Sequence, residues 1–226
     1  MEYAIEVRNL TKRYKGFTLD DISFALPQGT VMGLIGENGA GKSTLINSIL
    51  GIADSESSLT AMLGLDMKTH SKKIKEDIAV IFNDSHYDIN LTPKIIGHIL
   101  SKVYKNWDAP LFFEYLERFD LPEKKKIKKL STGMRVKLEF AAALSHHPKL
   151  LILDEATSGL DPVFRDEILD ILREFTEDED HAVLMSSHIT SDLDKIADYI
   201  AYLHEGKMQF IKTYDEIRND YGIITC

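Results

Sequence analysis

Three short runs of this chain hold residues whose types and spacing can do chemistry. Gly36-Glu37-Asn38-Gly39-Ala40-Gly41-Lys42-Ser43 fits the pattern G-x-x-x-x-G-K-[ST] at every fixed position. Its glycines permit backbone angles that turn consecutive N–H groups inward, toward phosphate oxygens. Lys42 can then reach the β- and γ-phosphates of a nucleotide, and Ser43 can offer its hydroxyl to Mg²⁺. Thr44 continues into a helix whose positive N-terminal end adds to the site. The second run, Leu150-Leu151-Ile152-Leu153-Asp154-Glu155, ends in two adjacent carboxylates. A lone Asp-Glu pair is usually no more than the polar end of a strand. Beside a phosphate loop, Asp154 is placed to hold Mg²⁺ through water, and Glu155 to orient and polarise an attacking water. The third run, Leu130-Ser131-Thr132-Gly133-Met134, is a second small-residue turn that enters a helix.

These runs need a frame to meet. Tyr3, Ile5 and Val7 alternate as a half-buried strand over residues 3–8 would. Phe17 to Ala25 predicts a second strand, turned at Pro27-Gln28-Gly29, and Thr30 to Ile35 a buried strand running into Gly36. Thr44 to Leu50 continues as a helix that Gly51 ends. After a short apolar strand at Ile78 to Phe82 the pattern changes. Thr92 is a helix cap and Pro93 a first helical residue. Ile95, Ile96, Ile99, Leu100, Val103, Tyr104 and Trp107 then recur at helical spacing, and Leu111 to Phe119 and Val136 to Leu144 add two more helical stretches. Residues 84–146 therefore read as a helical lobe inserted into an α/β core. The core resumes with strands at Leu150 to Leu153, Ala182 to Ser187, Tyr199 to Leu203 and Met208 to Lys212, and a short helix covers Tyr214 to Tyr221. The unbroken apolar run before Asp154 suits a central parallel strand covered on both faces. With no long linker, repeat or low-complexity segment, the expectation is one domain with two lobes.

Composition narrows the partners. The 226 residues are 44% hydrophobic and 28% charged, ordinary values for one well-buried domain. A net charge of -9 argues against holding a nucleic-acid backbone by charge. The dense basic run Lys124-Lys125-Lys126 with Lys128-Lys129 reads as a solvated loop or helix end, with an anionic contact such as a membrane-facing surface as the alternative. Cys226 is the only cysteine, so no internal disulfide forms, which fits a reducing compartment. It lacks the following residues of a prenylation signal. Met1-Glu2-Tyr3-Ala4-Ile5-Glu6 is acidic and alternating, unlike a signal peptide. No apolar run approaches the roughly 18 residues of a membrane helix. The expectation is a soluble chain whose membrane role, if any, comes through a partner.

Together these residues resemble the nucleotide-binding subunit of ABC transporters over essentially the whole chain, and in motif style the ATPase subunits of ABC-2 type exporters. The resemblance implies a RecA-like P-loop NTPase core with an antiparallel β subdomain and an inserted helical lobe, the single nucleotide-binding domain being residues 1–226. Leu130 to Met134 looks like the family's signature loop, in which Ser131 and Gly133 fill the positions that meet the γ-phosphate bound on the opposite subunit. Ser158-Gly159-Leu160-Asp161 is similar to its D-loop, which lies across the dimer interface. Ser186-Ser187-His188 places His188 at the switch histidine, and Tyr14, in Lys12-Arg13-Tyr14, stands where an aromatic ring stacks on adenine. Alone, His188 and Tyr14 would be read as ordinary surface or core residues. Asn83 stands where the family has the glutamine that senses Mg²⁺ and the membrane partner. It keeps the amide but is one methylene shorter, so its contact is direct only in a tighter closed state, or runs through water. Thr132 and Met134 replace the glycine and glutamine of many relatives.

The function implied by this resemblance is that of a subunit which dimerises around two ATP, hydrolyses them with Mg²⁺ and powers an integral membrane transport subunit, an exporter. The second nucleotide-binding subunit is a copy or a relative, and no nucleic acid is involved. The chain then sits at the cytoplasmic face of the cell membrane, peripheral through its membrane partner. His86-Tyr87-Asp88-Ile89-Asn90 is the candidate docking edge, with a solvated loop as the equal alternative. Two other readings stay open. Thr132, Met134 and Asn83 motivate a weakly active or regulatory ATP-binding subunit of a heterodimer, against which Glu155 and His188 stand. A soluble ATPase of the same family acting on ribosomes or DNA fits poorly with one phosphate loop, one cysteine and an acidic balance.

Overall fold

Strand β3 (Thr30–Ile35) lies inside a six-stranded sheet in the computed structural model, which describes residues 2–83 and 86–220. The other strands are β6 (Ile78–Phe82), β7 (Leu150–Asp154), β8 (Ala182–Ser186), β9 (Tyr199–His204) and β10 (Lys207–Thr213), in the order β10-β9-β3-β8-β7-β6. All neighbours are parallel except β10, which pairs antiparallel with β9 at the edge. Every residue of β7 and β8 is buried. Their side chains alternate between two cores, as the period of a strand requires. Leu151, Leu153, Val183 and Met185 pack on one face, and Leu150, Ile152, Ala182 and Leu184 on the other. Truncating such a leucine to alanine costs about 2–5 kcal/mol in comparable cores.

One face is covered by helix α1 (Lys42–Ile49) and by a four-stranded antiparallel sheet of order β2-β1-β4-β5. Its strands are β1 (Tyr3–Tyr14), β2 (Phe17–Pro27), β4 (Leu59–Met62) and β5 (Leu65–Asp66). Strand β1 runs well past the expected residue 8. Register shifts between Val7 and Leu10 and between Leu10 and Lys12 break the alternation that would have announced its second half. A two-residue turn, Lys15-Gly16 with Gly16 at φ 90, joins it to β2 and leaves Tyr14 directly opposite Phe17. As expected, α1 ends at Gly51, whose φ of 67 turns the chain so that the next amide, of Ile52, reaches the Asn47 carbonyl at 2.9 Å. Helix α2 (Met67–Asp77) follows, started by the Asp66 carboxylate, which accepts the Lys68 amide.

Between β6 and β7 come α3 (Pro93–Val103), α4 (Ala109–Arg118), a single 3-10 turn (Ile127–Lys129) and α5 (Thr132–Leu144), with no strand among the described residues there. These form the helical lobe. Thr92, Asp108 and Ser131 each cap the helix they precede by accepting an amide two or three residues into it. Capping explains why α5 begins at Thr132 rather than at Val136, where its apolar spacing becomes visible. Helices α6 (Pro162–Phe175) and α7 (Thr190–Ile196) cover the second face of the sheet, and α8 (Tyr214–Asp220) closes the described chain. Tyr221, where the last helix was expected to end, and Cys226 lie outside the described residues. Among the described residues no helix is long and apolar enough to cross a membrane.

Candidate nucleotide site

The loop from Gly36 to Gly41 joins β3 to α1 and is pressed so closely by its neighbours that side chains are excluded at two points. A Cβ on Gly36 would lie 2.3 Å from the Leu203 carbonyl oxygen. A Cβ on Gly41, whose φ is 109, would lie 2.6 Å from Cζ of Phe17. Lys42, only 6% exposed, turns back into the loop and donates from Nζ to the carbonyl oxygens of Gly36 at 2.8 Å and Glu37 at 3.4 Å. The same Nζ stands 3.4 Å from Oε1 of Glu155.

Glu155 is the residue just past β7, and its φ of 55 is left-handed. Its amide donates to the Ser186 hydroxyl at 3.0 Å and to the Ser186 carbonyl at 3.2 Å, contacts that hold the turn. Its other carboxylate oxygen, Oε2, lies 2.5 Å from Nδ1 of the half-exposed His188. A cation, a carboxylate and an imidazole thus stand in a row at the ends of α1, β7 and β8. Asp154 is buried behind them and accepts from the Ser186 hydroxyl. Such a row can bind phosphate and hold a proton acceptor near it.

These groups border a cavity of about 380 Å³. Of the residues singled out in the sequence, it is lined by Glu37, Asn38, Gly39, Gly41, Lys42, Ser43, Thr44, Asn83, Glu155 and His188. Gly36 and Ala40 support the loop from behind, the Ala40 carbonyl accepting from the Gly206 amide at 3.0 Å. Ser43 and Asp154 offer hard oxygen ligands, which fit Mg²⁺. No group of three or more His, Cys, Asp or Glu poised for a metal occurs among the described residues.

Tyr14, Ser131, Gly133 and Asp161 do not line the cavity. Tyr14 is 50% exposed, with Lys12 Nζ 4.8 Å from its ring centre. The Ser131 hydroxyl accepts from the Met134 amide at 3.2 Å, and Gly133 faces the Gly159 carbonyl, 3.9 Å from where a Cβ would stand. Asp161 caps α6 by accepting the Phe164 amide at 3.0 Å, and that bond lowers its pKa. The Ser131 turn and the Ser158–Asp161 loop therefore abut, each at the start of a helix. Beneath them the buried Thr157 hydroxyl donates to the buried Asp192 carboxylate at 2.9 Å, tying this loop to α7.

The sequence placed Ser158 and Ser186 in motifs and Phe17 at a strand start without showing what each does at the site. Phe17 and Ser158 line the cavity, and Ser186 holds both carboxyl-bearing residues. Phe17 was within reach from the Lys15-Gly16 hairpin, which sets it across from Tyr14. The segment from His86 to Asn90 is a loop anchored by Tyr87, whose phenol burial, reinforced by Glu139, holds well above its ordinary pKa. The Asn90 amide donates to the Asp88 carboxylate at 2.9 Å, and Ile89 between them is 51% exposed.

Known proteins resemble this chain over most of its length. A family model described as ABC transporter matches residues 19–158. The chain is 30% identical over 218 residues to the ABC transporter ATP-binding protein YtrB of Bacillus subtilis (strain 168), covering 96% of this chain and 74% of that one. It is 34% identical over 222 residues to the lantibiotic transport ATP-binding protein SrtF of Streptococcus pyogenes, covering 95% and 93%. With the bacitracin transport ATP-binding protein BcrA of Enterococcus faecalis it shares 35% over 211 residues, covering 92% and 68%. A solved ATP binding subunit of an ABC transporter superposes with a TM-score of 0.88 at 26% identity, over 96% of this chain and 92% of that one.

Proposed function

The chain belongs to the ABC transporter family as an ATP-binding subunit, and from that premise we propose that residues 1–226 form one nucleotide-binding domain that hydrolyses ATP with Mg²⁺ to power a separate membrane transport subunit. The observation that carries hydrolysis is the placement of Glu155 between Lys42 and His188 at the mouth of the phosphate loop. In this reading the loop amides and Lys42 hold the β- and γ-phosphates. Glu155, steered by His188, takes a proton from the water that attacks the γ-phosphorus, and the bond to the β–γ bridging oxygen breaks. Ser43 and Asp154 would hold Mg²⁺, which when bound offsets phosphate charge. Asn83, in the cavity wall, would meet that ion and the membrane partner through its amide.

Closure requires a second nucleotide-binding subunit. Ser131 and Gly133 of that subunit cover the γ-phosphate, and Asp161 lies in the same face. Val163, 81% exposed at the start of α6, supports an interface there. Tyr14 flanks the adenine. Differential affinity of ATP for the closed pair supplies the work, and hydrolysis releases it. The lantibiotic and bacitracin transport roles carried by the names of two relatives support an exporter. The chain then works at the cytoplasmic face of the membrane through its partner, and its net charge of -9 speaks against nucleic acid.

Glu155→Gln tests this. ATP binding is expected to persist while hydrolysis falls by roughly 10²–10⁴, the range for losing a positioned base. Unchanged turnover by the purified variant would remove Glu155 from the mechanism.

A further inference from the structure

We propose that Asp192 is a positioning residue for hydrolysis: its buried bond to Thr157 fixes the backbone that carries His188 against Glu155. The inference rests on the reading of Glu155 and His188 as the hydrolytic pair. Two side-chain contacts join the segment after β7 to the segment after β8. The outer one sets Nδ1 of His188 against Oε2 of Glu155 at 2.5 Å. In the inner one, the Thr157 hydroxyl donates to Oδ2 of Asp192 at 2.9 Å. The outer contact does little to set its own geometry. The His188 side chain is 54% exposed, and its ring makes no other hydrogen bond, ion pair or ring contact among the described residues. The inner contact lies in the core, with Thr157 only 1% and Asp192 2% exposed.

Helix α7 depends on that inner contact because its start has little else to hold it. Ile189 at the cap position supplies no side-chain bond. The Ile189 amide is taken by the Ser187 hydroxyl at 3.0 Å, a bond within the loop itself. Lys195, bonded to Asp166 and through its carbonyl to Arg173, ties the far end of α7 to α6 at the exposed surface. Asp192, in the first turn, is therefore the group that holds the end next to His188. Among the described residues Thr157 is the only donor to its carboxylate, and no cation pairs with it. A buried carboxylate with one donor is an expensive core filling, because an apolar side chain would carry no desolvation penalty. What the carboxylate supplies is placement. A charge-assisted bond is short and directional, and it pins a turn that an apolar contact would let slide.

The test is steady-state ATP hydrolysis by purified variants at one protein concentration. Asp192→Ala is expected to lower kcat by roughly 10- to 100-fold, the upper figure being the cost of displacing a group by about 1 Å. KM for ATP should stay within about twofold, because Lys42 and the phosphate loop are untouched. Asp192→Asn still accepts the Thr157 hydroxyl and should keep kcat within about threefold of wild type. If Asp192→Ala does not fold, Thr157→Val against Thr157→Ser reads the same bond, with loss expected in the first and retention in the second. Wild-type kcat in Asp192→Ala, or in Thr157→Val, would overturn the proposal. So would a KM that rises in step with the fall in kcat, which marks a general disturbance of the site, or an Asp192→Asn protein as slow as Asp192→Ala. Glu155→Gln is the control. Full turnover there would remove the hydrolytic pair and this inference with it, whereas a slow Glu155→Gln beside a fast Asp192→Ala would remove the positioning role alone.

Discussion

The hydroxyl of Ser186 donates to Oδ1 of Asp154 at 2.7 Å, inside the core and across two parallel strands in register. The Ser186 hydroxyl oxygen in turn accepts the Glu155 amide at 3.0 Å. One hydroxyl therefore orients the buried carboxylate and fixes the turn that presents the next. Ser186→Ala leaves the buried Asp154 carboxylate short of a donor. The expected loss is about 1–3 kcal/mol of folding stability, the penalty for an unsatisfied buried polar group. ATP turnover should also need more Mg²⁺. Denaturant midpoints together with turnover at graded Mg²⁺ measure both, and an unmoved midpoint would show that Ser186 is dispensable.

Ser131 has a local duty as well as the one proposed across the dimer. Ser131→Arg removes the cap on α5, at about 0.5–2 kcal/mol. Because Ser131 lies outside the cavity, monomer affinity for ATP should hardly change. ATP-driven dimers should disappear in sedimentation velocity runs. Dimerisation equal to that of wild type would sink the split-site account.

His146 makes stability depend on pH. Its ring is buried where α5 returns toward the sheet, stacked on Tyr104 at 4.0 Å, with Nε2 3.1 Å from the Ile78 carbonyl. Burial lowers its pKa, opposed by the Ile78 and Ala142 carbonyls and by Asp77, and assisted by His147. The unfolded chain, with a histidine pKa near about 6.5, therefore takes up the proton first as pH falls. The stabilising contribution is complete above that value and is lost as pH drops toward the folded pKa. Melting temperature should fall between pH 7.5 and pH 5, by an amount that His146→Phe reduces while keeping the stack. Parallel melting curves for the two proteins across that range would assign the acid sensitivity elsewhere.

Legibility followed locality. The phosphate loop could be read because consecutive residues do all of its work, and β7 because a strand buried on both faces is an unbroken apolar run. Helix α2 buries only Met67 and Ile74, too few for a period to show, and is placed by the Asp66 cap and by packing. Helix α6 did leave signals: Asp161 and Pro162 start it, and Phe164, Ile168, Leu169, Ile171 and Leu172 are its buried stripe. Reading Asp161 only as an interface residue hid them. The role of Ser186 comes from strand register, and the place of Phe17 in the cavity wall from its packing over Gly41, both contacts between distant parts of the chain. Local pattern cannot carry those.

The left-handed backbone of Glu155 places this carboxylate at odds with the fold that holds it. Residues other than glycine and asparagine adopt such angles at a cost of about 1 kcal/mol. Glycine would occupy the position without that strain. A library of this chain selected only for heat resistance would keep the leucines of β7 and drift away from glutamate at 155. Its survivors would be well-folded proteins without the base proposed for turnover, since here tenacity of fold and usefulness pull on one residue in opposite directions.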